Sequence, residues 1–175
     1  MLDRLFGHHQ PLSDRTPQTL QVGDAVSYDG ENFLVEQRIT YHGDGGDLWW
    51  NFVLVGSQRQ LLFDVDEDDG LDLTMYEEAQ FHPSLPLRGP VSYQGATYEQ
   101  EEHGFADASV NRRNSATAER VEYWYLEAAD DHQMMIRRLG DNEEQLDPAL
   151  ATGTVIVHVG VTIKQHQISL FPGTV

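Results

Sequence analysis

The chain contains no cysteine among its 175 residues. It therefore has no disulfide, no thiolate nucleophile and no cysteine-ligated zinc site, and nothing in it indicates an oxidising compartment. Basic residues are also scarce, because 11 lysines and arginines stand against 29 aspartates and glutamates, for a net charge of −18. Phosphate backbones and anionic lipid surfaces repel such a protein, so we expect neither a nucleic-acid partner nor electrostatic attachment to a membrane.

Long apolar stretches and catalytic motifs are missing as well. No run of about eighteen apolar residues could span a bilayer, and the N-terminus lacks the basic start and apolar stretch of a signal peptide. We therefore predict a soluble, cytoplasmic protein without membrane insertion. No serine lies in a Gly-x-Ser-x-Gly elbow, and the glycines of 43–46 lack the lysine and following helix of a phosphate-binding loop. The sequence predicts no catalytic residue and no cofactor.

An internal repeat is the strongest positive signal in the sequence. The segment 26–33, VSYDGENF, returns 65 residues later as 91–98, VSYQGATY. Further matches keep the same order along the chain, 52–54 with 124–126 and 60–63 with 133–136. Ordered matches of this kind indicate the duplication of one small unit.

The pattern of apolar residues predicts strands almost throughout. Residues 48–55 are apolar on both faces, which is typical of a central strand covered on both sides. Residues 155–163 alternate strictly, so they predict a C-terminal strand with one buried face that lies along an open edge. Large apolar side chains on the two longest predicted central strands should form the core: Trp50, Phe52, Leu54, Trp124 and Leu126.

We therefore predict an all-β fold made of two repeated small antiparallel units, barrel- or sandwich-like, packed pseudo-symmetrically and closed by a C-terminal strand or hairpin. The predicted parts belong to one compact body. They are an N-terminal arm (1–19), a first β unit (20–82), a second β unit (87–150) and a C-terminal strand segment (151–175).

Diffuse motifs in both units point to one family. The first unit carries Gly23-Asp24, Val26, Tyr28, Gly30, Phe33, Trp50, Leu54 and Leu61, and the second carries Tyr98, Glu101-Glu102, Gly104, Ala106, Tyr123, Tyr125 and Leu126. Over residues 20 to 150 this pattern resembles the domain of unknown function 4178 family. The resemblance implies little chemistry. An association of members with phage-shock-type membrane-stress proteins and aminopropyltransferase-like proteins implies an accessory role.

An acidic turn offers candidate metal ligands, Asp64, Asp66 and Asp68. Hard divalent cations need several oxygens that converge on one point. Asp69 stands where a calcium-binding EF-hand loop has glycine, Met75 stands where it has glutamate, and the flanks are predicted strands. The two interpretations are a divalent-cation site and a solvated acidic turn.

The repeat offset makes Glu36 and Glu101 equivalent. In a pseudo-symmetric pair of units they could approach a common acidic seam, close to His42 and His103 at the borders of two long loops. Such a seam would bind a cation or a polyamine. The alternative is that both carboxylates face water or pair with arginines.

Two functions from different classes are consistent with these features. The first is a non-enzymatic protein-binding or accessory module, in a bacterial membrane-stress or polyamine-related system as the resemblance implies. The second is a protein that binds a small molecule or cation, or a cryptic enzyme, through Glu36, Glu101, His42 and His103. A cavity lined by those four residues favours the second function, whereas a filled core with an apolar external patch favours the first.

Overall fold

The computed structural model describes residues 14–140 and 153–173, and its regular structure is almost entirely β-strand. Most of the predicted N-terminal arm, and the end of the predicted second unit, lie outside the described residues. Short 3-10 helices cover Pro17–Thr19 and Gln165–Gln167. The strands are β1 (Ala25–Tyr28), β2 (Glu31–Gly43), β3 (Leu48–Val55), β4 (Gln60–Asp66), β5 (Asp72–Glu78), β6 (Val91–Tyr93), β7 (Ala96–Arg112), β8 (Ser115–Glu127), β9 (His132–Gly140), β10 (Thr154–Ile163) and β11 (Ile168–Phe171).

A closed ring of eight strands forms the body of the protein. The sheet order is β11-β1-β2-β3-β4-β5-β10-β9-β8-β7-β6, and an additional pairing of β2 with β7 closes the ring. Neighbouring strands pair in antiparallel fashion, and the ring leaves β6 and β11 as the outermost strands on either side of the closure. The predicted all-β antiparallel class is therefore confirmed.

The two halves of the chain follow the same strand order. Each half begins with a tight hairpin whose two turn residues have positive φ, namely Asp29 and Gly30 in one half and Gln94 and Gly95 in the other. This geometry matches the twist of the flanking strands and favours glycine at the second position. Val26 pairs with Phe33 in the first hairpin, as Val91 pairs with Tyr98 in the second. Duplication of one unit stays a prediction that superposition of the halves would test.

Strand β10, near the C-terminus, joins the two halves of the ring. β10 lies between β5 and β9 and pairs with both, as expected for a strand that covers an open edge. The backbones of β10 and β5 lie very close together at Gly160, where an added Cβ atom would be 2.0 Å from the carbonyl oxygen of Met75. Only glycine fits against the β5 backbone at this position.

Three hydrophobic clusters share the sheet. One fills the outer face of the first half around Phe52, a second fills the outer face of the second half around Trp124, and a third lies inside the ring around Tyr41. β3 contributes to both faces, since Trp50 and Phe52 belong to the first cluster and Trp49 to the interior one. This confirms the predicted two-sided burial, and the five predicted core residues are all buried: Trp50, Phe52, Leu54, Trp124 and Leu126.

Candidate functional site

A polar cluster is buried inside the ring. Asn51 on β3 and Asp64 on β4 alternate with apolar residues of the first outer core, so their side chains point inward. Arg137 reaches the same interior from β9, and His158 from β10 is buried beside it. Asp64 is 7% exposed and Arg137 is 6% exposed, which is unusual for charged side chains.

Hydrogen bonds connect these residues across five strands. The Asn51 amide nitrogen donates to the Asp64 carboxylate, and the Tyr125 hydroxyl donates to the same carboxylate oxygen at 3.2 Å. The Tyr41 hydroxyl donates to Asn51 Oδ1 at 3.0 Å and accepts from Arg137 Nη1 at 2.6 Å. These hydrogen bonds form a continuous series from the Arg137 guanidinium through Tyr41 and Asn51 to the Asp64 carboxylate.

Burial shifts the pKa values of Asp64 and of the neighbouring His158 so that each favours its neutral form. Desolvation, followed by the charge of Asp66, raises the pKa of Asp64 from 3.8 to about 7. Desolvation, followed by the charge of Arg137, lowers the pKa of His158 from 6.5 to about 3. Removal from water penalises the ionised form of each group, and this explains why an acid and a base shift in opposite directions.

The interior cluster consists of buried polar side chains and is not an open binding site. Its side chains are nearly inaccessible, so a solute could reach them only if the ring opened. Two of its polar atoms have no hydrogen-bond partner within the described residues, Arg137 Nε and His158 Nδ1. An unpaired buried polar atom of this kind costs stability, because it has lost its hydrogen bonds to water.

A groove of about 240 Å³ lies outside the ring, over the seam between β5 and β10. Its floor includes Met75 and Val161, which are paired across the seam. The hairpin turns of both halves border it, through Tyr28 and Asp29 on one side and Gln94 on the other. The two halves of the chain therefore build this groove together.

Acidic side chains surround Arg59, the one arginine among the described residues that line this groove. Arg59 forms ion pairs with Glu77 at 3.0 Å, Glu31 at 3.1 Å and Asp29 at 3.7 Å. Three carboxylates against one guanidinium leave an excess of negative charge. Burial, followed by the charge of Asp29, raises the pKa of the Tyr28 phenol in the same groove.

The structure does not bring Glu36 and Glu101 together. Each is the residue skipped at a β-bulge, Glu36 between Val35 and Gln37 and Glu101 between Gln100 and Glu102. Both are exposed. Because β2 and β7 are antiparallel, Glu36 lies near the end of the seam where Gln37 pairs with Arg112, and Glu101 lies beyond the opposite end. The expected common cleft is absent from the described residues, and a ligand-binding role for either residue stays a prediction.

The two predicted histidines are also apart. His42 is exposed and pairs across the seam with Asp107, its own counterpart at the repeat offset. His103 lies on the outer face of the second half, where its Nε2 is 3.0 Å from Glu122 and its ring stacks on Trp124 at 4.9 Å. Arg138 binds the other oxygen of Glu122, so His103 joins a partly buried ion cluster.

The three predicted metal ligands have different surroundings. Asp64 is inside the ring, Asp66 is half-buried and accepts a hydrogen bond from the Asp68 amide at 3.0 Å, and Asp68 is exposed. No group of three or more histidines and carboxylates suited to a metal ion occurs in the part of the chain that the structure describes. Divalent binding at this turn stays a prediction.

Sequence reasoning missed Asn51, Arg137 and Arg59 as site residues. Asn51 has a recognisable signal, because it interrupts a strand that is apolar on both faces. Arg137 stands at an inward position between Met135 and Leu139. Arg59 lies in a short loop without any distinguishing pattern, and only the fold places it among three carboxylates.

Comparison with known proteins places the chain in a family. The family model described as domain of unknown function (DUF4178) matches residues 21–144. The chain belongs to this family. It is similar to uncharacterized proteins of Mycobacterium bovis and of two Mycobacterium tuberculosis strains, at 31% identity over 106 residues, which cover 57% of this chain. The chain spans about half the length of these relatives, since the match covers 50% of each.

No solved structure matches the DUF4178 chain significantly. Within residues 14–140 and 153–173, no helix is long and apolar enough to cross a membrane.

Proposed function

We propose that this DUF4178 protein is a non-enzymatic accessory module that binds a partner protein, and that the groove over the β5–β10 seam receives a positively charged segment of that partner. The observation that carries the proposal is the construction of this groove. Hairpins from both halves border it, and three carboxylates surround Arg59.

The charge of the whole protein favours such a partner. A net charge of −18 attracts cationic segments at long range and speeds their association at low salt. Tyr28 adds aromatic surface to the groove, and aromatic rings bind lysine and arginine side chains through cation–π contacts. An apolar floor beside acidic walls suits a peptide that alternates basic and apolar residues.

A small polycation is the second candidate ligand, and the same groove favours it. An amine such as spermidine would meet the carboxylates of Asp29 and Glu77 and the ring of Tyr28. This alternative moves the predicted cation or polyamine site from Glu36 and Glu101, which lie apart, to the seam between the halves. It would agree with the polyamine-related system that the family resemblance implies.

Nuclear magnetic resonance titration tests the proposal. A synthetic peptide of alternating lysine and leucine, and separately spermidine, is added at constant ionic strength while backbone amide shifts are followed. We expect saturable shifts at Asp29, Gln94 and Val161. The double variant Asp29→Asn, Glu77→Gln should weaken binding about tenfold or more, since it removes two charges while keeping the shapes of the side chains.

A matched control removes the same charge elsewhere. Asp68→Asn, Asp69→Asn lies in the exposed turn between β4 and β5, at the far end of β5 from Glu77. If both double variants weaken binding equally, net charge alone explains the binding, and the proposal of a specific groove is contradicted. Saturation by the peptide but not by spermidine supports the protein partner, and the reverse supports the polycation.

A further inference from the structure

A second groove, of about 340 Å³, lies at one end of the β2–β7 seam. Gln37 pairs with Arg112 there, and Arg38 pairs with Asn111. The chain just before β1 forms another wall. The lining residues are Gln21, Val22, Arg38, Asn111, Arg112 and Arg113. Three of the protein's 11 basic residues therefore meet in one groove of a strongly acidic protein.

These three arginines differ in their partners from four other arginines of the described residues. Arg15, Arg59, Arg120 and Arg138 each form an ion pair with at least one carboxylate. Within the described residues, Arg38, Arg112 and Arg113 form no ion pair with a carboxylate. Glu36, which precedes Gln37 on the facing strand, forms none with them either.

Arg38 is held in place rather than left to move in solvent. Its Nη2 donates to the carbonyl oxygen of Gln18 at 3.2 Å, and its guanidinium lies 5.9 Å from the centre of the Phe52 ring. Its Nε is buried and has no hydrogen-bond partner. Arg112 is likewise oriented, because its Nη1 donates to Thr117 Oγ1 at 3.2 Å. The groove therefore presents oriented cationic donors without an acceptor of opposite charge.

We propose that this groove is a binding site for a small oxyanion, a carboxylate or phosphate group, held by Arg38, Arg112 and Arg113. The planar guanidinium group matches the geometry of both oxyanions and binds them through paired hydrogen bonds. The ligand is small, because the negative charge of the whole protein repels an extended polyanion such as a nucleic acid. Clustered arginines repel one another, and a bound anion relieves that repulsion.

Titration with inorganic phosphate and, in a separate arm, citrate tests the site. Sodium chloride at the same ionic strength serves as the reference for both arms. We expect saturable shifts of the amides of Val22, Asn111, Arg112 and Arg113, with a dissociation constant of about 1 mM or tighter for at least one anion. The arm that saturates identifies the oxyanion as phosphate or carboxylate.

Two double variants make the test specific. Arg112→Gln, Arg113→Gln removes two exposed charges from the groove and should weaken binding at least tenfold. The control Arg88→Gln, Lys164→Gln removes two exposed charges elsewhere and should leave binding unchanged. No saturable shift with either anion, or equal weakening in the two variants, would overturn the oxyanion site. Neither result depends on the groove over the β5–β10 seam, so the two proposals fail separately.

Discussion

The two outer cores and the interior of the ring are built from different chemistry. The outer cores pack apolar side chains, as around Phe52 and Trp124. The interior also contains an apolar cluster, but Asn51, Asp64, Arg137 and His158 are buried with it. The same strands supply both environments, since neighbouring residues of a strand point to opposite faces.

This difference separates stability from specificity. Burial of apolar surface is the main favourable contribution to folding, and the outer cores provide most of it. The second outer core also carries one buried ion pair, between Glu122 and Arg138. Buried ions pay a desolvation penalty that their mutual attraction does not reliably repay. The interior cluster therefore contributes little net stability, but it requires one arrangement of Tyr41, Asn51 and Asp64 for its hydrogen bonds to form.

The largest expected effect comes from truncation in the outer cores. Phe52→Ala and Trp124→Ala should each lower the free energy of unfolding by about 3–5 kcal/mol, because each removes a buried ring and leaves a cavity. Urea denaturation followed by circular dichroism measures both. An unchanged midpoint for Trp124→Ala would mean that the second outer core does not support the fold.

The pKa shifts of Asp64 and His158 predict opposite dependences of the free energy of unfolding on pH. Between pH about 4 and 7 the native Asp64 holds a proton that the unfolded chain has lost, so this group makes stability fall as pH rises. Between pH about 3 and 6.5 the unfolded chain protonates His158 and the native state does not, so this group makes stability rise with pH. Each contribution spans roughly 4 kcal/mol, and in the wild type the two largely cancel.

Urea denaturation at several pH values separates these contributions. The stability difference between wild type and Asp64→Asn should shrink from pH 4 to 7. The difference between wild type and His158→Gln should grow from pH 3 to 6.5. Differences that do not change with pH would show that neither group is held in its neutral form, and that the interior is more hydrated than its burial indicates.

The sequence predicted elements better than their assembly. The repeat and the turn pairs Asp29-Gly30 and Gln94-Gly95 specify hairpins locally, and these are present. Closure of the ring depends on the pairing of β2 with β7, which are distant in sequence, and no local pattern encodes that register. The same register explains why Glu36 and Glu101 are equivalent in the repeat yet lie apart. In an antiparallel seam, residues at a fixed repeat offset can meet at one position only, and here that position is the pair of His42 with Asp107 near one end of the seam.

The acidic composition of 64–72 also hid the position of Asp64 in the fold. Asp64 appears in the sequence as the start of an acidic turn, although Leu62 and Asp64 share an inward face of β4 and only the residues after Asp66 form the turn. The alternation of 61–65 contained this information. What faces Asp64 across the interior could not be predicted, because Tyr125 lies 61 residues away on another strand.

The smallest predicted effect comes from the removal of one tyrosine hydroxyl, which can be compared between the interior and the second outer core. Tyr41→Phe removes a hydroxyl that accepts from Arg137 and donates to Asn51, so it leaves two buried polar groups unpaired. It should lower the free energy of unfolding by about 1–3 kcal/mol. Tyr98→Phe removes the same hydroxyl in the second outer core, where it has no hydrogen-bond partner within the described residues, and should change stability by less than about 0.5 kcal/mol. Urea denaturation of the pair at one pH measures the difference directly. If Tyr41→Phe is as neutral as Tyr98→Phe, the interior hydrogen bonds contribute nothing to the native state, and the distinction between the two environments fails.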